Sequence, residues 1–167
     1  MTSIVDLVVE DPRWGDLPLE ILSDTAANAA LTAAGIATRD VEISLLACDD
    51  ARIASLNSAF RGKSSATNVL SWPALDLFPR QPGSAPSTEI PPDPTGHVPL
   101  GDVAIAYDTV MAEAQAGNIP PDHHVVHLIL HACLHLLGYD HVLDEDADIM
   151  ERLEVQALAT MGIPSPY

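Results

Sequence analysis

The sequence predicts an α+β fold in which a single mixed β-sheet is covered by helices. Three observations lead there. Val5-Asp6-Leu7-Val8-Val9 and the stretch from Val41 to Cys48 alternate apolar and polar residues with the two-residue period of a strand. Elsewhere Leu and Ala recur at helical spacing between capping residues and glycine stops. Strands and helices also follow one another without a strict βαβ rhythm, which argues against a purely parallel sheet.

Each element has its own signal. Pro12 and Gly15 end the first strand. Leu22, Ala26, Ala29 and Ala33 form a helical stripe that Gly35 can terminate. Val41, Ile43 and Leu45 share one face of the second strand, after which Asp49 or Asp50 can cap a helix running to about Phe60. Thr67 to Trp72 is a short β-favouring run closed by Pro73. The segment 73–99 holds eight of the fourteen prolines. Compact domains seldom contain so long a loop, and it reads as a mobile segment within one domain spanning 1–167 rather than a boundary. Leu100 to Tyr107 returns to strand character, and Asp108 can cap a short helix ending at Gly117. Pro121 suits the first turn of the next helix and Gly138 its stop. Asp144 opens a last helix that ends near Gly162, and the acids of its first turn suit the helix dipole.

Composition narrows the function classes. The chain has 167 residues, enough for one domain with a sizeable core, and a 47% hydrophobic share that a disordered chain would not have. Aromatics make up 4%, so aliphatic residues must fill that core. Seven basic residues face 24 acidic ones, for a formal charge of −17. Such a surface repels membranes and bare nucleic acid, and no DNA partner is expected. Cys48 and Cys133 are too few for a disulfide framework and read as buried thiols of a reducing compartment. The first residues lack a basic, then apolar, leader, and histidines interrupt the longest apolar run; a soluble cytoplasmic protein is expected.

The chemistry lies in His131-Ala132-Cys133-Leu134-His135-Leu136-Leu137-Gly138-Tyr139-Asp140-His141. Residues four apart on a helix are offset by about 40° and roughly 6 Å along the axis, so two imidazoles can converge on one ion. Gly138 breaks the helix, and His141 can swing back as a third ligand. Three protein ligands leave a coordination position open, which marks catalytic rather than structural zinc. His127 makes a second pair of the same spacing with His131, but three histidines over about 12 Å of helix cannot share one ion. The glycine break favours His131, His135 and His141, leaving His127 to support a ligand or to pack. His123 and His124 are expected to face solvent, and Cys133 to point into the core. The spacing copies that of metzincin proteases, yet Ala132 stands where their general-base glutamate belongs.

With these residues in view, the sequence resembles the YbeY family of bacterial rRNA-maturation endoribonucleases. That family's signature is close to H-G-x-L-H-L-x-G-Y-D-H, and this chain reads HACLHLLGYDH. Two further blocks match: Leu56-Asn57 through Phe60-Arg61-Gly62-Lys63 and Thr67 to Pro73, then Leu100-Gly101-Asp102-Val103-Ala104-Ile105. Ala132 replaces the usual glycine, Asn68 stands where aspartate is frequent, and Trp72 where phenylalanine is. None of these departures removes a ligand. The resemblance implies one divalent metal ion, zinc, and a single-strand-specific endoribonuclease of 16S rRNA 3′-end maturation and ribosome quality control. It implies partnership with rRNA and the small ribosomal subunit. It also matches Arg61 to the family's arginine near the metal, where a guanidinium can clamp a phosphate and stabilise transition-state charge.

The net charge of −17 suits an RNase poorly, because phosphate contacts normally supply nonspecific affinity. Delivery of the RNA by ribosomal or assembly proteins is the favoured reading; a locally positive groove around Arg61 and Lys63 is the other. Asp140 can serve chemistry directly or orient an imidazole. A metal-dependent peptidase or amidase, and a noncatalytic ribosome-assembly factor, are the competing function classes.

Overall fold

The computed structural model describes residues 3–37 and 40–167. Four strands, β1 (Val5–Val9), β2 (Val41–Cys48), β3 (Val69–Pro73) and β4 (Val98–Ala106), form one sheet in the order β1-β2-β4-β3. β1, β2 and β4 run parallel, and β3 lies antiparallel to β4 at the edge. The sheet is therefore mixed, as patterning predicts. One βαβ unit is nevertheless present: helix α1 (Leu19–Ala33) carries the chain from β1 to its parallel neighbour β2. Alternation along a single strand cannot reveal this, because the pairing partner alone sets the direction.

Register explains which face is buried. Val5 pairs with Ile43 and Leu7 with Leu45, while Leu45 pairs with Val103 and Ala47 with Ile105. These side chains share a face and join the main core with residues of α1 and of helix α4 (Pro121–Leu136). On the opposite face Cys48, Leu70 and Ala104 meet Ile53 of helix α2 (Asp50–Arg61). Helices α3 (Tyr107–Ala116) and α5 (Asp144–Thr160) pack beside α4.

Helix α4 is buried on most sides. Val125, Val126, Leu128, Ile129, Leu130, Ala132, Cys133, Leu134 and Leu136 are all buried, as for a helix at the centre of a fold. Full burial of each large aliphatic side chain stabilises by about 1.5–3 kcal/mol. The histidines occupy the one stripe left open.

Local signals held in part. Asp49 caps α2, its carboxylate accepting from the Arg52 amide at 2.8 Å. Asp108 is not a cap; it lies inside the first turn of α3, and its carboxylate accepts from Arg13 at 2.7 Å. In α1 the buried residues are Leu19, Ser23, Ala26, Ala27, Ala30 and Leu31, whereas Leu22, Ala29 and Ala33 are partly buried. Alanines recur on several faces of α1, so its packing partners chose the inner one. The segment 74–97 contains no helix or strand and touches the fold at defined points, including Gly83 N–H on Asp146 Oδ1 at 2.8 Å. Among the described residues no helix is long and apolar enough to cross a membrane.

Candidate metal centre

His127, His131 and His135 follow one another up the open stripe of α4, all partly buried. The helix ends in a Schellman motif, with Gly138 N–H on His135 O and Tyr139 N–H on Leu134 O, both at 3.0 Å. Gly138 takes φ +101°, and a Cβ there would lie 2.4 Å from the Leu77 carbonyl oxygen. Glycine thus meets two demands at once, the left-handed turn and the close approach of the proline-rich segment. The reversal returns His141 to the helix: its ring centroid lies 5.1 Å from that of His131 and 4.9 Å from that of His135. Asp140 accepts the His141 amide at 2.7 Å and so braces the backbone of this turn.

The donor set fits a cation. His135 Nδ1 donates to the Tyr139 carbonyl at 2.9 Å, and His131 Nδ1 donates to the Glu154 carboxylate. With both Nδ1 atoms protonated, each Nε2 presents a lone pair. These Nε2 atoms face one another at 3.1 Å. Two nitrogens bound to one tetrahedral ion at about 2.0–2.1 Å would lie roughly 3.3 Å apart. Two opposed lone pairs repel, and a cation between them removes the repulsion. One nitrogen from each of His131, His135 and His141 lies within 4.8 Å of the others. Burial, followed by the neighbouring His131 and His141, pushes His135 down to about 4, leaving it neutral and ready to coordinate near pH 7.

A cavity of about 340 Å³ opens over these rings. Arg61, at the end of α2, and Asn68, just before β3, line it together with His127 and Tyr167. Arg61 is the last residue of α2 rather than part of a loop, and Gly62, at φ +69°, ends the helix directly behind it. Its Nη2 donates to the Ser71 carbonyl at 3.0 Å, which sets the guanidinium at the cavity edge. Lys63 is exposed and is not among the residues lining this cavity. His124, expected in solvent, has a side chain only 11% exposed and pairs with Glu113 at 3.0 Å. Cys133 is buried as predicted.

Glu154 was not found by reading the sequence. Its side chain is 0% exposed. It accepts from His131, from His127 Nε2 at 3.4 Å and from the Tyr167 hydroxyl. Burial alone would raise its carboxyl, but the hydrogen bonds of His127 and His131 outweigh burial and hold it at about 2. A signal for it existed: Met150, Glu154, Ala157 and Leu158 form the buried stripe of α5, so a carboxylate occupies a core position.

The family model described as Endoribonuclease YbeY matches residues 16–162. The chain belongs to the YbeY endoribonuclease family. An Endoribonuclease YbeY of Ruegeria pomeroyi is 55% identical over 98% of this chain and 97% of its own. Another, of Cereibacter sphaeroides, is 47% identical over the full length of both chains. The solution structure of a Thermotoga maritima protein superposes with a TM-score of 0.52 at 18% identity, covering 95% of this chain and 91% of that one. At that identity the likeness shows a shared fold. YbeY membership agrees with the resemblance carried by HACLHLLGYDH and its companion blocks.

Proposed function

We propose that this endoribonuclease works with one zinc ion held by His131, His135 and His141. We propose further that it cuts single-stranded RNA in 16S rRNA 3′-end maturation and ribosome quality control. The observation that carries the metal reading is the convergence of the three imidazoles on an open cavity, with the Nε2 atoms of His131 and His135 opposed at 3.1 Å. When bound, the ion supplies Lewis-acid polarisation of the phosphate and activation of water.

The chain's own groups do the rest. The Tyr139 carbonyl and the Glu154 carboxylate hold His135 and His131 with Nε2 directed inward. Arg61 lines the same cavity, where a planar guanidinium can grip a phosphate through two parallel hydrogen bonds and favour its more charged transition state. Ala132 also lines the cavity, and its methyl cannot take a proton, so the peptidase mechanism with a glutamate base has no counterpart here. A surface of net charge −17 grips bare RNA weakly, which favours delivery of the substrate on the small ribosomal subunit by ribosomal or assembly proteins in the cytoplasm.

The test is cleavage of a single-stranded RNA and of a 16S precursor by purified protein, with and without a chelator, followed by zinc add-back. Cleavage should stop on chelation and return with zinc. Cleavage indifferent to chelation would refute the metal role. Co-sedimentation with subunits in the absence of any cleavage would favour a noncatalytic assembly factor.

A further inference from the structure

We propose that Glu154 is a positioning residue that selects which of the two histidine pairs sharing His131 on α4 holds the metal. The proposal rests on the metal reading above but not on the RNA substrate.

Around His131, helix α4 offers two choices of equal spacing, His127 with His131 and His131 with His135. The structure makes both real. One nitrogen each from His131, His135 and His141 cluster within 4.8 Å, and so do ligand atoms of His127, His131 and Glu154. His131 belongs to both groups and cannot face both with the same nitrogen. Its Nδ1 points to Glu154 and its Nε2 to His135.

Glu154 breaks the tie. Its carboxylate accepts a hydrogen bond from the Nδ1–H of His131, so that ring can offer a lone pair only through Nε2, on the side of His135 and His141. The same carboxylate accepts from His127 Nε2, which turns that nitrogen toward Glu154. Tyr167 completes the arrangement: its hydroxyl donates to Glu154, and its ring packs edge-on against His127 at 6.1 Å. A carboxylate already occupied by three donors is a poor ligand for a cation. The second group is thereby converted from a rival site into a support. A buried carboxylate persists only where partners compensate its lost hydration, and here each partner is tied to the choice of site.

Carboxylates that orient a coordinating histidine commonly change metal affinity by about 10–100-fold when removed. The experiment measures zinc affinity by competition with a chromophoric chelator, with thermal unfolding recorded in parallel. Glu154→Gln should stay folded and bind zinc about 10–100-fold more weakly, and Glu154→Asp should recover part of that loss. His127→Ala removes a partner of Glu154 but no ligand, so it should keep its zinc and weaken binding less than Glu154→Gln does. A Glu154→Gln protein that folds and keeps parental affinity overturns the proposal. So does a His127→Ala protein that loses its zinc, since His127 would then be a ligand. Should Glu154→Gln fail to fold, Glu154→Asp decides by the same criterion: parental affinity in that folded variant overturns the proposal. None of these measurements uses RNA, so an absence of RNA cleavage leaves the outcome standing. Failure of the parent protein to bind zinc overturns both this proposal and the metal reading.

Discussion

Replacing Gly138 with alanine should strain the one turn that brings His141 to the helix histidines. The residue sits at φ +101°, where an L side chain costs about 1–2 kcal/mol. The added Cβ would also lie 2.4 Å from the Leu77 oxygen and 2.6 Å from its carbonyl carbon. Both are backbone atoms and cannot rotate aside, so either the proline-rich segment lifts or the turn shifts. Together the two effects should cost about 2–4 kcal/mol, in the range of strained backbone sites. For a chain of this size that is a fall of roughly 4–16 °C in Tm. Thermal unfolding of the zinc-free protein reads the strain directly. Zinc competition then reads whether His141 has moved, and affinity should fall with stability. Gly15→Ala is the control, since nothing lies within 4 Å of its Cβ position and it should be nearly neutral. If Gly138→Ala melts with the parent and binds zinc equally well, the turn is not the constraint inferred from its geometry.

Three further outcomes are expected. His135→Ala should lose most of the bound zinc, measured by metal analysis after dialysis; full occupancy would exclude His135 as a ligand and bring His127 back into consideration. Arg61→Ala should shift stability by no more than about 0.5 kcal/mol, as an exposed substitution does, while RNA cleavage falls roughly tenfold or more for loss of a charge-assisted contact. Arg61→Lys should rescue only partly because an ammonium lacks the planar fork, whereas a large loss of stability with full activity would make Arg61 a structural residue. Cys48 and Cys133 are buried, and burial pushes both thiols up to about 12, so native protein should resist a thiol-disulfide reagent at pH 8 while denatured protein reacts at both positions. Fast labelling of the native chain would contradict that burial.

Legibility differed with the range of the interaction involved. Strand alternation, the Asp49 cap, the Pro121 start and the Gly138 stop are local, and each appears where the sequence places it. So is the spacing of His131 and His135, because a helix converts a four-residue interval into a shared face without outside help, whereas His141 depends on the turn at Gly138. Asp108 does not cap α3, because its partner, Arg13, is 95 residues away in the chain. His124 leaves solvent for a related reason, as its partner Glu113 comes from the neighbouring α3.

The sequence by itself therefore determined the element types, the mixed α+β class and the three-histidine motif, since all follow from periodicity and from short spacings. Only the tertiary structure decided the parallel crossover of β1, α1 and β2, the inner face of α1 and the position of Arg61 at the cavity edge. It alone revealed Glu154, which approaches His131 from a different helix. A hydrogen bond between separate elements leaves no period in the sequence. Its only trace was a carboxylate on the buried stripe of α5, where desolvation would exclude it unless partners were waiting.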